Sequence, residues 1–138
     1  MKKHILLVDD DKDELIIFMD ALRKVPSNDG FKCTYAGSTA QAIEMLNCLV
    51  PDYIFSDFNI PRMNGLEFLQ YIRDQQRFSH TQLCLYSTHI SEEVKGKAAN
   101  LGINYAQKTG TIESLVRNIS GLLAAKPQPD YLSDFFDP

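Results

Sequence analysis

The sequence predicts an α/β domain, a parallel β-sheet with helices packed on both faces. Three observations lead there. Short apolar runs alternate with segments of helical spacing five times along the 138 residues. The first and third runs are almost wholly apolar, as expected of strands buried on both faces, and Phe31 to Ala36 alternates. Polar residues able to do chemistry follow four of the runs, at the ends that a parallel sheet gathers on one edge.

The elements follow in order. His4 to Val8 reads as the first strand, and Asp9, Asp10 and Asp11 end it. Lys12 to Val25 carries Leu15, Phe18, Met19 and Leu22 at helical spacing, and Pro26 to Gly30 is a breaker cluster. Phe31 to Ala36 reads as the second strand. Ser38 with Gln41 makes a capping box ahead of a helix over Thr39 to Leu49, and Pro51 stops that helix. Tyr53 to Ser56 is the third strand, with Asp57 at its C-terminal end. Pro61 and Met63-Asn64-Gly65 shape a loop before a helix over Leu66 to Gln76, with Leu66, Leu69 and Ile72 facing inward. Gln82 to Tyr86 is the fourth strand, with Ser87, Thr88 and His89 at its end. Ser91 caps a weaker helix over Glu92 to Asn100, with Gly96 in its middle and Gly102 after it. Ile103 to Gln107 is the fifth strand, closed by Lys108. Thr111 caps the last helix, Ile112 to Ala125, which has Ile112, Leu115, Ile119 and Leu122 on one face.

Composition narrows the function. The chain is 44% hydrophobic and 23% charged, with net charge −4, and it has no basic run. Direct nucleic-acid binding is therefore not expected, because neutralising phosphates needs clustered Lys and Arg. The N-terminal apolar run is too short for a signal peptide, and no stretch has transmembrane length, so a cytoplasmic protein is expected. Cys33, Cys48 and Cys84 sit in apolar segments away from metal-ligand spacing. They read as small buried hydrophobes in a reducing compartment. His4, His80 and His89 show no ligand spacing either. Phe18, Phe31 and Phe55 read as core. Residues 126–138, KPQPDYLSDFFDP, break the pattern and read as a mobile tail, with a short docking peptide as the competing reading.

Asp9 and Asp10, Asp57, Ser87 and Thr88, and Lys108 fall at the C-terminal ends of four strands. Singly, each is an ordinary cap, turn or surface residue. Jointly they form a constellation. Three converging carboxylates repel one another unless a cation joins them, and hard oxygen donors suit Mg²⁺. A carboxylate, Mg²⁺, a lysine and a hydroxyl are the parts that phosphoryl transfer onto an aspartate requires.

At these residues the chain resembles a known family. Val8-Asp9-Asp10-Asp11, the stretch SDFNIPRMNG from Ser56 to Gly65, Ser87-Thr88 and Lys108 look like a response-regulator receiver domain, over about residues 3 to 125. The resemblance implies a flavodoxin-like (βα)5 doubly wound sheet of strand order 2-1-3-4-5. It implies that Asp57 is phosphorylated from a histidine kinase or histidine phosphotransfer protein. Asp10 and Asp57 would hold Mg²⁺, with Asp9 acting largely through water and Asn59 giving its backbone carbonyl. Ser87, or Thr88 next to it, would follow the phosphoryl oxygen. Tyr105 would be the aromatic that turns inward on switching, and Asn59 and His89 would tune phosphoryl lifetime. The surface of the Glu92 helix, the fifth strand and the last helix would then change shape for a downstream protein target. The sequence departs from the family at Thr109, where a proline usually follows the lysine, and at Thr88, where a small residue is usual.

The expectation is thus a stand-alone receiver, residues 1–125, followed by the 126–138 tail with no output domain, acting as a monomer or weak dimer. It catalyses its own phosphorylation and slow dephosphorylation and has no separate substrate. Three rivals remain on sequence grounds. One is a receiver fold binding partners without phosphorylation. Another is an aspartyl-phosphate phosphatase of the haloacid dehalogenase type, using Asp9 and leaving Asp57 without a role. A flavin carrier of the same topology is weaker, because acids follow the first strand where phosphate-cradling groups are needed.

Overall fold

Alternate side chains of a strand point to opposite faces, and here both faces are apolar. In β1 (Lys3–Val8), Ile5 and Leu7 face one side while Leu6 and Val8 face the other, and all four are buried. Such a strand belongs in the middle of a covered sheet. The structure, a computed structural model, describes residues 2–108 and 111–124. The expected Ala125 helix end, Thr109 and the 126–138 tail lie outside the described residues.

Five strands pair in parallel in the order β2-β1-β3-β4-β5, with β2 at Phe31–Ala36, β3 at Tyr53–Ser56, β4 at Gln82–Ser87 and β5 at Asn104–Gln107. This is the 2-1-3-4-5 order of the flavodoxin-like fold. Helices α1 (Lys12–Arg23) and α5 (Ile112–Ala124) cover one face, where Phe18, Ala21, Leu115 and Ile119 meet Ile5, Leu7, Phe55, Cys84 and Tyr86. Helices α2 (Thr39–Met45), α3 (Gly65–Arg73) and α4 (Glu92–Asn100) cover the other, where Ala42, Leu69, Ile72 and Ala98 meet Leu6, Val8, Ile54, Leu83 and Leu85. Phe18, Phe55 and Tyr86 pack edge to face, with ring centroids 5.2 to 6.1 Å apart. Such pairs each contribute about 0.5–1.5 kcal/mol beyond burial.

The strands and helix starts follow the sequence expectation closely, and several helix ends do not. α1 stops at Arg23, two residues early, where Lys24 N–H turns back to the Ala21 and Leu22 carbonyls. α2 stops at Met45 rather than Leu49, with Leu46 N–H bonded to Ala42 and Glu44. The chain beyond is a turn that exposes Cys48, so Cys48 is not the buried hydrophobe expected of it. Cys33 is half-buried, with its thiol pushed up to about 11 by burial, and Cys84 is fully buried. Phe31, expected in the core, is only partly buried against it. α3 begins at Gly65 and ends at Arg73, and a separate 3-10 turn over Gln76–Phe78 buries Phe78.

The Ser38 and Ser91 caps are as the sequence expects, with one change of partner, and Asn64, expected only in a turn, is a further cap. Ser38 Oγ accepts from Gln41 N–H at 3.0 Å, but the Gln41 side chain accepts from Gly37 N–H rather than completing the reciprocal bond to Ser38. Asn64 caps α3 through Glu67 N–H at 2.9 Å, and Ser91 caps α4 through Val94 N–H at 3.2 Å.

Gly65 ties α3 to the third strand end. A Cβ on it would lie 2.0 Å from the Asp57 carbonyl oxygen, and its N–H donates to the Phe58 carbonyl at 2.9 Å. Gly65→Ala is therefore expected to cost more than about 2 kcal/mol of unfolding free energy in urea titration. A variant as stable as the parent would show that α3 is free to shift away from Asp57.

Candidate functional site

Parallel strands bring their C-terminal ends to one edge, and register decides which residues meet there. Val8 pairs with Ser56, Ser56 with Leu85, and Ser87 with Gln107. The next residues on β1, β3 and β5 are Asp9, Asp57 and Lys108. Backbone bonds continue the ladder past the strands. Asp57 N–H donates to Val8 at 2.9 Å, Asp9 N–H to Ala36 at 3.1 Å, and Lys108 N–H to Ser87 at 2.8 Å. The edge lies where the strand order reverses on either side of β1, the place where open α/β sheets form a crevice.

Asp9 is buried, Asp57 is partly buried and Asp10 is exposed, and each offers a carboxylate oxygen within 4.8 Å of the others. Two like charges about 5 Å apart at a protein surface repel by about 3 kcal/mol. Lys108 partly offsets this repulsion. Its ammonium donates to Asp9 Oδ2 at 2.8 Å and lies 3.7 Å from Glu14 Oε2 and 3.8 Å from Asp57 Oδ2. It also sits 5.4 Å from the centroid of the Tyr86 ring, within cation–π range. One ammonium leaves the edge with an excess of negative charge. Three hard oxygen donors from two strand ends fit a divalent cation of the Mg²⁺ kind, and Asp9, Asp10 and Asp57 could hold it.

The remaining candidates are dispersed around this centre. Ser87 ends β4 and is buried, whereas Thr88 and His89 are exposed. Thr88 carbonyl accepts from Gln107 Nε2 at 2.9 Å, a bond that fixes the backbone and leaves its side chain outside. Asn59 lies exposed in the loop after Asp57. Tyr105 is also exposed, with Lys95 Nζ 5.8 Å from its ring, so it faces away from the acids in this structure.

Four residues do more here than their places in the sequence signal. Glu14, in the first turn of α1, reaches the ammonium. Tyr86 lies beneath it, and its phenol is pushed well above the usual range by burial, then by Glu14, Cys84 and Asp9. Tyr35 holds the Asp9 backbone by donating its hydroxyl to the Asp9 carbonyl, and burial with the nearby acids keeps that hydroxyl protonated. Gly65, expected only as a turn residue, seats α3 against the Asp57 carbonyl. The triple acid run was a signal for Glu14, since the first turn of a helix beginning there faces the same edge. Tyr86 and Tyr35 gave no signal apart from their strands.

Comparisons with known proteins agree with this geometry. The sequence model of the response regulator receiver domain family matches residues 5–120. The chain is 29% identical over 126 residues to the probable chemotaxis protein CheY of Rhizobium etli, covering 90% of this chain and 95% of that one. It is 32% identical to the Regulator of RpoS of Escherichia coli, over 73% of this chain but only 28% of that protein. It is 28% identical to the hybrid signal transduction histidine kinase D of Dictyostelium discoideum, over 8% of that protein. A phosphorylated cyanobacterial phytochrome response regulator shares the fold with TM-score 0.77 at 24% identity, covering 94% of this chain and all of that one. A chemotaxis response regulator of Vibrio cholerae does so with TM-score 0.75 at 24% identity, covering 88% of this chain and 99% of that one. The aspartyl-phosphate phosphatase and flavin-carrier readings receive no support. Asp57 also joins the acid cluster, where the phosphatase reading gave it no role.

The charge balance predicts opposite signs for two substitutions. In metal-free buffer, Asp57→Asn raises the melting temperature by relieving repulsion. Lys108→Met costs about 2–4 kcal/mol by leaving the buried Asp9 carboxylate without its cation. Thermal and urea denaturation read both. Changes of the same sign in the two variants would contradict the balance described.

Proposed function

This chain belongs to the response-regulator receiver family, and from that premise we propose that Asp57 is its phosphoacceptor and Mg²⁺ its cofactor. Receiver domains are signalling proteins that take phosphoryl groups from histidine kinases and act on downstream targets. The observation that carries the assignment to Asp57 is its setting. Its carboxylate lies within 4.8 Å of Asp9 and Asp10 oxygens and 3.8 Å from the Lys108 ammonium, at the crevice edge of the sheet.

In the proposed reaction an Asp57 carboxylate oxygen attacks the phosphorus of a histidine kinase or histidine phosphotransfer protein. An O–P bond forms, the donor's N–P bond breaks, and the electron pair leaves with the donor imidazole. Asp9, Asp10, Asp57 and the Asn59 carbonyl are the proposed Mg²⁺ ligands. The ion when bound supplies positive charge that offsets the acids and the phosphoryl oxygens. Lys108 holds its ammonium against the acids before transfer and is available to a phosphoryl oxygen afterwards. Ser87, at the end of β4, supplies the hydroxyl that follows that oxygen. Thr88 is the alternative hydroxyl, and its exposure makes it the weaker one. Asn59, in the loop after Asp57, and His89, two residues beyond β4, are both exposed and are the proposed residues that tune access of the hydrolytic water. Tyr105 is the proposed switch aromatic, outward here and inward after phosphorylation.

The receiver unit of this proposal is residues 1–125, with 126–138 as a tail. The Rhizobium etli relative, a probable chemotaxis protein matched over 95% of its length, supports the signalling reading, with output through a protein contact or onward transfer as the proposal. No described helix is long and apolar enough to cross a membrane.

Intact mass after incubation with acetyl phosphate tests the reading. The parent gains about 80 Da in the presence of Mg²⁺ and not without it, and Asp57→Asn gains nothing. A parent that gains no mass under any condition would move the protein to phosphorylation-independent binding.

A further inference from the structure

The Lys108 ammonium has more anionic neighbours than the proposed reaction uses. Asp9 Oδ2 lies at 2.8 Å, Asp57 Oδ2 at 3.8 Å and Glu14 Oε2 at 3.7 Å. Glu14 is not part of the carboxylate group gathered within 4.8 Å, which consists of Asp9, Asp10 and Asp57. It approaches from α1, where Glu14 N–H bonds the Asp11 carbonyl at 3.1 Å, and its side chain is 27% exposed. The Tyr86 ring lies near the same ammonium, 5.4 Å from its centroid. The cation is thus held among an acid of β1, an acid of β3 and an acid of α1.

We propose that Glu14 is a positioning residue for Lys108. It holds the ammonium toward α1, so that Lys108 does not settle wholly on Asp9 and Asp57. The proposal rests on the reading of Asp9, Asp10 and Asp57 as a Mg²⁺ and phosphoacceptor site. The carboxylates compete for one ammonium. Glu14 and Asp57 stand at nearly equal distances from one ammonium, so losing either shifts the cation toward the anions that remain. Without Glu14, those anions are the two carboxylates needed for the metal ion and for nucleophilic attack. A lysine seated on them resists displacement by a divalent cation. Partial exposure of Glu14 limits the size of the effect.

Isothermal titration with Mg²⁺ tests this in the parent, Glu14→Gln, Lys108→Gln and the double variant, with circular dichroism confirming that each is folded. Glu14→Gln is expected to bind Mg²⁺ about three- to tenfold more weakly than the parent. In the Lys108→Gln background the same substitution changes affinity by a clearly smaller factor, because the residue it acts through is gone. An equal or larger effect in that background would mean that Glu14 acts on the metal site directly, and would overturn the proposal. Unchanged affinity in the single variant would overturn it as well. A parent that binds no Mg²⁺ would overturn the site reading beneath it, an outcome distinct from a Glu14 failure.

Discussion

A single buried ion pair holds the functional edge of this protein together. Lys108 and Asp9 are 99 residues apart in sequence, yet their charged atoms meet at 2.8 Å, with Asp9 almost wholly removed from solvent. A carboxylate in that position is costly without a cation, and β5 ends where it can deliver one. The same ammonium reaches Asp57 and Glu14, so four elements depend on one side chain for their charge balance. The sheet makes this possible. Parallel pairing in the order β2-β1-β3-β4-β5 places the strand ends side by side, and the reversal of order around β1 opens the crevice into which they point.

The layers beneath the edge keep those groups in place. Tyr35 fixes the Asp9 backbone from β2. Gly65 allows α3 to lie directly against the Asp57 carbonyl, an approach that any side chain would block. Phe18, Phe55 and Tyr86 form an aromatic group on the α1 and α5 face, and its outermost ring underlies the lysine. Packing and chemistry therefore share residues here. A change in the core near Tyr86 reaches the ammonium, and a change in the loop after Asp57 reaches α3.

Much of this was legible in the sequence, for physical reasons that also explain what was not. A strand buried on both faces has few polar positions, so the apolar runs marked β1, β3 and β4 clearly, and the first polar residue after each marked the edge. Asp9 and Asp57 were legible for that reason, whereas Lys108 follows the short, more polar β5 and was legible only as part of the constellation. Helix ends were less so. α2 gives up its pattern at Met45 through a turn of carbonyl bonds that no breaker residue announces, and Cys48 is exposed as a result. Tyr86 could not be read locally, because its importance comes from a lysine more than twenty residues further along the chain, and for Glu14 the acid run before it was the one local signal. The family resemblance added roles for Asn59, Tyr105 and His89. Asn59, His89 and Tyr105 are all exposed, as is Thr88, and their roles rest on the resemblance.

The central claim is that the strand-end carboxylates act as one cation-dependent site. Amide chemical shifts of uniformly ¹⁵N-labelled protein titrated with Mg²⁺ test it most directly. The account predicts saturable shifts that are largest at Asp9, Asp10, Asp57, Asn59 and the backbone around Lys108, accompanied by a higher melting temperature. Saturable shifts centred elsewhere, or none at these residues, would contradict it.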